Sequence, residues 1–232
     1  MNDLVQNEPR RTLPEGEALA GVIRWLSIHD DLLRGLTHTL SNRVGTIAAA
    51  AYMVEVQPAS MAASAATLRA ESEKLESLLR LLRLLPRRVV GAGEPVIPTD
   101  AASVAIELYG HHPKQTSAPI TMVVEGDLQP AFVEPAALTM AVVVGLDAAH
   151  RGIATAAAQL SVTITCSTDW VTLHMHARDE TVSTDVADNL AAITWLLLPF
   201  GGHSAPHALG ASLMIPTLQA TRRALRDSSQ PR

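Results

Sequence analysis

The sequence has one cysteine, Cys166. That excludes an intramolecular disulfide and any cysteine-based zinc finger, and it makes a reducing compartment the expectation. It has no run of about 18 apolar residues. Met1 to Pro14 is polar with charges of both signs, so neither a membrane span nor a signal peptide is predicted, and a cytoplasmic protein is expected. Aromatic residues make up 3% of the chain, the net charge is −5, and no basic cluster is interleaved with aromatics. Nucleic acid binding needs a cationic surface that displaces counterions, and Arg222, Arg223 and Arg226 are too few to supply one. No serine sits in a glycine-flanked strand-to-helix elbow, so Ser/His/Asp catalysis is unsupported.

What is present is apolar bulk, 47% over 232 residues, enough for one large domain or two small ones. After a polar tail over residues 1–13, Pro14-Glu15-Gly16-Glu17 opens a helix with negative charge at its positive dipole end. Apolar residues at Val22, Leu26, Leu33, Leu36, Leu40, Val44, Ile47, Ala51 and Val54 recur at the three-and-four spacing that keeps one helix face dry. The helix should reach Val56, on the order of 60 Å, longer than one small core can cover. Gln57-Pro58-Ala59-Ser60 reads as a turn with Ser60 as N-cap. A second helix takes Met61 to about Leu85, with heptad-like Met61, Ala65, Leu68, Leu75, Leu78, Leu82 and Leu85, until Pro86 stops it. Leu78 to Leu85 is apolar on more than one face. A lone hairpin would leave that surface wet, so a homodimeric four-helix bundle is predicted.

On the first helix His38 lies about 200° from both Leu36 and Leu40, which puts the imidazole on the wet side. Arg34 and Asn42 share its face, with Asp31 and Gly45 a turn further out. Gly35 removes side-chain bulk beside the ring, at roughly 1 kcal/mol relative to Ala, which implies a close approach there. His29, in Ile28-His29-Asp30-Asp31, is the rival histidine, but its spacing with Leu26, Leu33 and Leu36 points it toward a packed face. Asn42 has two open readings: a helix-surface residue, or an amide able to bond a partner loop or place a water.

Thr37-His38-Thr39-Leu40-Ser41-Asn42-Arg43-Val44 resembles the H-box of sensor histidine kinases, S-H-E-L-R-T-P-L, without a gap. The acid after the histidine is Thr39 here, the Thr or Asn position is Asn42, and the proline is Arg43. In that family the missing acid helps the histidine attack ATP. A histidine lacking it can still accept phosphate from a receiver aspartate. The family's dimerisation and phosphotransfer domain is a four-helix bundle with its histidines outside, matching the predicted dimer.

Arg87 to Glu94 reads as a linker. The pattern then changes to short strands alternating with helices. Val96-Ile97 is a strand, Thr99 or Asp100 caps a helix through Tyr109, and Gly110-His111-His112-Pro113 breaks it. Ile120 to Val124 and Ala131 to Val133 are strands, and Glu134-Pro135 starts a helix through Ala149. Leu160 to Cys166 and Trp170 to Ala177 form a hairpin turning at Ser167-Thr168-Asp169. Asp185 to Leu198 is a helix ended by Gly201-Gly202, and Ala211 to Ile215 is the last strand. The expected fold class is α+β: a long helical hairpin followed by a sheet with helices on one face.

In order and length this second half resembles the ATP-binding domain of the same kinases. The nucleotide motifs are missing. The helix expected to carry a magnesium-binding asparagine reads Val142-Val143-Val144-Gly145-Leu146-Asp147, and the D-x-G-x-G segment is Ala177-Arg178-Asp179-Glu180-Thr181. Magnesium needs oxygen ligands and triphosphate needs glycine-freed N–H groups, and a valine run offers neither.

The expected domains are therefore a tail (1–13), a dimerisation and phosphotransfer hairpin (14–87), a degenerate kinase-like domain (95–221) and a tail (222–232). The resemblance implies phosphoryl transfer between receiver aspartates through His38, with receivers docking on Arg34, Gly35, Thr39, Asn42 and Gly45. No nucleotide, metal or other cofactor is expected on the chain, and magnesium would arrive with the receiver. A non-catalytic adaptor or pseudokinase, and a receiver phosphatase using Asn42, remain as alternatives. His174 and His176 share a strand face but lack a third ligand unless His150 or Asp179 supplies it, so a solvated face is expected there. His111 with His112, and His203 with His207, carry no ligand spacing.

Overall fold

The computed structural model describes residues 13–57, 59, 61–85, 91–113, 119–151, 159–177, 186–207 and 210–228. The tail expected over 1–12, the turn positions Pro58 and Ser60, Pro86 and the linker at 87–90, the Arg178 to Thr181 segment, Asp185 and the end of the chain from 229 lie outside the described residues.

Helix α1 runs Glu15–Val56, 42 residues, with Pro14 at its N-cap and Glu15 and Glu17 in its first turn. Helix α2 (Met61–Leu84) packs back along it. Glu71, buried on α2, receives both Arg43 of α1 at 3.0 Å and Lys74 at 2.7 Å. The Lys74 hydrogen bond first and then Arg43 hold its carboxyl below the ordinary glutamate range, against the opposing effect of burial.

The face that α1 buries differs from the one its spacing predicts. Gly21, Arg24, Trp25, Ile28, Leu32, Leu36 and Ala50 are buried. Leu26, Leu33 and Val44, expected in the dry stripe, are 50%, 37% and 54% exposed. The reason is tertiary: the first half of α1 lies against the second half of the chain, and the docked face is rotated by roughly a quarter-turn from the leucine stripe. His29 is half-buried with its ring 5.2 Å from that of Trp25 on the docked face, so it packs there and not through the Leu26 and Leu33 stripe with which its spacing grouped it.

The second half contains β1 (Glu94–Val96), α3 (Pro98–Tyr109), β2 (Ile120–Glu125), β3 (Ala131–Val133), α4 (Pro135–Arg151), β4 (Leu160–Cys166), β5 (Trp170–Ala177), α5 (Ala187–Leu197), β6 (His203–His207), β7 (Gly210–Pro216) and α6 (Leu218–Ser228). Five strands form a mixed sheet ordered β2-β4-β5-β7-β6, in which only the β2–β4 pair is parallel, while β1 and β3 pair separately. The β4–β5 hairpin has the expected bounds, with Ser167 N–H donating to Trp170 O at 2.8 Å across the turn. Along β5, Val171, Leu173, Met175 and Ala177 point into the core, and Trp170, Thr172, His174 and His176 point to the other face. Helix α4 is buried from Ala137 to Ala149. A helix apolar on all sides needs cover on all sides, and α4 has the sheet on one side and α3 and α5 on others.

Four details depart from the sequence reading. Strand β1 ends at Val96 where Val96-Ile97 was expected. Helix α3 starts at Pro98 with Ile97 as N-cap and no side-chain cap, because proline at the first helical position is already set to a helical φ. Edge strand β6 was not anticipated, since His-Ser-Ala-Pro-His has no apolar alternation and its proline is tolerated only at an edge. The chain from 222 to 228 is helical, not a tail: Thr217 Oγ1 accepts from Ala220 N–H at 3.1 Å and caps α6.

Candidate functional site

Helix α1 presents His38 exposed on its polar side. One turn on, Asn42 Nδ2 donates to His38 Nε2 at 3.2 Å. An imidazole nitrogen that accepts carries the lone pair, so in this contact the ring proton lies on Nδ1. Arg34 is also exposed, paired with Asp30 at 2.8 Å and Asp31 at 3.6 Å. Gly45 is exposed, with nothing within 4 Å of where a Cβ would lie.

Gly35 and Thr39 have an intramolecular neighbour. A Cβ on Gly35 would lie 1.7 Å from the carbonyl oxygen of His111, in the segment after α3. The close approach that Gly35 allows is thus made by the chain's own second half. Thr39 Oγ1 donates to Gly35 O at 3.0 Å and lies 3.3 Å from His111 Nδ1. Half-burial lowers the basicity of His111, Glu107 partly restores it, and Arg43 lowers it again. The predicted strip therefore divides: Arg34, His38, Asn42 and Gly45 face outward, and Gly35 and Thr39 seat the segment at His111.

A second polar cluster was invisible in the sequence. Arg24 of α1 enters between α4 and α5, pairs with Asp147, and donates through Nε to Asn189 Oδ1 at 3.1 Å. Asn189 Nδ2 donates to Val144 O at 3.0 Å and Asp147 Oδ2 at 3.1 Å, and Arg151 Nε lies 3.2 Å from the same oxygen. Burial would raise the Asp147 carboxyl, but Arg24, the Asn189 hydrogen bond, Arg151 and His112 outweigh it and hold the group below its usual value. Beside it, burial and the Asp147 charge push the Tyr109 phenol well above its ordinary range, with Arg24 and Arg151 opposing. The His112 ring stacks on Tyr109 at 5.2 Å, and its Nε2 lies 3.6 Å from Asp31 of α1. Gly21 sits where a Cβ would meet the Ala191 backbone at 2.8 Å, and Trp25 packs 5.8 Å from Trp195. Together with Ser77 donating to Glu107 at 2.7 Å, these contacts clamp the hairpin to the α/β half at several points.

The valine run of α4 is wholly buried, and the polar group next to it, Asp147, is engaged by Arg24. Among the described residues no group of three or more His, Cys, Asp or Glu side chains could hold a metal ion, and no helix is long and apolar enough to cross a membrane.

No protein-family model matches the chain, and no curated protein matches it. Solved structures do. Histidine kinase AdeS of Acinetobacter baumannii is 11% identical, with 78% of this chain and 98% of that one covered, at a TM-score of 0.44. The mycobacterial sensor histidine kinase MprB is 15% identical over 54% of this chain and 97% of that one, at 0.42. The catalytic domain of histidine kinase ThkA is 7% identical over 55% and 97%, at 0.44.

Proposed function

We propose that the chain is a dimeric histidine phosphotransferase of two-component signalling, relaying a phosphoryl group between response-regulator receiver domains without using ATP. The observation that carries this reading is His38, exposed midway along a 42-residue helix, with Nε2 held as an acceptor by Asn42. A receiver docks on the outward strip of Arg34, His38, Asn42 and Gly45. As Asn42 yields its hydrogen bond, the Nε2 lone pair attacks the phosphorus of the receiver's aspartyl phosphate. The N–P bond forms, the aspartyl O–P bond breaks, the aspartate leaves as a carboxylate, and Nδ1 keeps its proton. Positioning and charge stabilisation do most of the work in such a transfer, and the magnesium belongs to the receiver.

Two further features support the reading. The exposed apolar residues Leu19, Ile23, Leu26, Leu33 and Val44 on α1 offer a second copy a surface that water disfavours. Arg24, seated between α4 and α5 on Asp147 and Asn189, ties the α/β half down as a support for the hairpin. The test is incubation with a radiolabelled phospho-receiver. Acid-labile label on the wild type and none on His38→Ala is expected, and retained transfer in that variant would move the role to His29. Because Asn42 adjoins His38, receiver phosphatase activity is the second reading. Inorganic phosphate release without label on the protein would favour it, and neither signal would leave a non-catalytic adaptor.

A further inference from the structure

Three histidines share one patch of the sheet face turned away from α4. His174 and His176 alternate along β5, and His207 ends edge strand β6. Strand β7 lies between, and its Gly210 is paired to both His176 and His207, so no side chain stands between those two imidazoles across the sheet. The ring centroids of His174 and His207 lie 5.0 Å apart, and those of His176 and His207 lie 5.4 Å apart. All three residues are half-buried.

Neutral imidazoles pack at such distances without penalty. Imidazolium ions repel one another, and half-burial removes part of the water that would screen them. The surrounding strands offer little compensation. Beside His174, β4 presents Thr163 and β7 presents Ser212; beside His176 they present Ser161 and Gly210. On β6 the residue sharing the face of His207 is Ala205, and His203 lies at the far end of the strand with its ring against Trp170. Burial first, and then His207 and His176, hold His174 below its usual basicity, and the Glu125 carboxylate of β2 opposes them.

The element free to respond is the end of β6. Its start is tied to α5, where Ser204 Oγ donates to Leu190 O at 2.8 Å and Ser204 N–H donates to Thr194 Oγ1 at 3.1 Å. Its end carries Pro206, which has no N–H to give the ladder, and then His207. The His174 ring is fixed, because Ser212 Oγ lies 2.7 Å from its Nδ1 and a hydroxyl can serve that nitrogen as donor or acceptor. His207 Nδ1 is buried without a hydrogen bond. An imidazolium donates from both nitrogens, so a charged His207 needs an acceptor that its present seat does not offer.

We propose that His174, His176 and His207 form an acid-sensitive latch on edge strand β6. Neutral, the three rings hold the end of the strand on the sheet. On taking up protons from water they repel one another and release residues 205–207, while Ser204 keeps the start of β6 on α5. Since His174 is less basic in the folded chain than in the unfolded one, the latch contributes in full above the unfolded imidazole value of about 6.5. That contribution is lost as pH falls from there through the lower folded value. Sequence spacing paired only His174 with His176, because His207 reaches them through the order of the sheet.

The latch is independent of the phosphotransfer reading, and its test uses the full chain. Amide hydrogen-exchange protection of Ala205 and His207 is expected to fall about tenfold between about pH 7.5 and pH 5.5, with that of Ser204 unchanged. His207→Gln should abolish this response and raise the 15N-detected titration midpoint of His174, while His203→Gln leaves both as in the wild type. Should a variant fail to fold, 15N titration of the unsubstituted protein decides: the three imidazoles are expected to titrate as a coupled set. Three independent titrations at the free-imidazole value, protection unchanged by acid, or an acid response retained in His207→Gln would overturn the proposal.

Discussion

Asn42 Nδ2 lies 3.2 Å from His38 Nε2, one helical turn apart on the outward side of α1. The contact occupies the lone pair that a nucleophilic imidazole must use. Asn42→Ala is therefore expected to raise the share of the Nε2–H tautomer of His38, read from its 15N shifts. Both side chains are at the surface, so stability should change by less than about 0.5 kcal/mol. An unchanged tautomer ratio would mean that the amide does not hold the ring.

The Arg24–Asp147 pair is buried, and Arg24→Ala leaves Asp147 in the interior without its main partner. The expected loss is about 3–5 kcal/mol in urea unfolding, the usual cost of stranding a buried charge. Replacing both residues with apolar ones of similar volume should recover much of it. A loss below about 1 kcal/mol would show that Arg151 and Asn189 suffice to hold the carboxylate.

Acid should find the same cluster. The Asp147 carboxyl is held below its unfolded value in the folded chain, so its stabilisation is present in full above the unfolded pKa, about 3.9, and is lost as pH falls through the lower folded value. Wild-type unfolding followed by circular dichroism should accordingly steepen below about pH 4. A stability flat through that range would contradict the assignment.

Two glycines on α1 should respond oppositely to one substitution. A Cβ on Gly45 meets nothing within 4 Å, so Gly45→Ala is expected to stabilise by about 0.5–1 kcal/mol through helix propensity. A Cβ on Gly35 would overlap the His111 backbone, and Gly35→Ala should cost about 1–3 kcal/mol as that segment shifts. Thermal melts of the two variants measure this directly. Equal effects would mean that His111 yields freely.

Ile23→Lys with Leu26→Lys places charge on the exposed apolar stripe of α1. Light scattering is expected to give twice the 24.7 kDa chain mass for the wild type and a single chain for the variant. Two monomers, or two dimers, would remove that stripe from the interface.

Much of this protein follows from its sequence alone. The two long helices, the β4–β5 hairpin and a solvent-facing His38 rest on residues two, three or four positions apart, and local periodicity carries that information. Only the tertiary structure decided which stripe of α1 is buried, because α1 has two apolar stripes and the choice depends on what docks. It also decided that Gly35 receives His111, that Arg24 meets Asp147 and Asn189 across 123 and 165 residues, and that the His207 ring packs beside those of His174 and His176. Each of these contacts joins residues whose spacing along the chain has no period. They come from how the sheet is ordered and how the helices lie on it, and no local pattern of side chains encodes that.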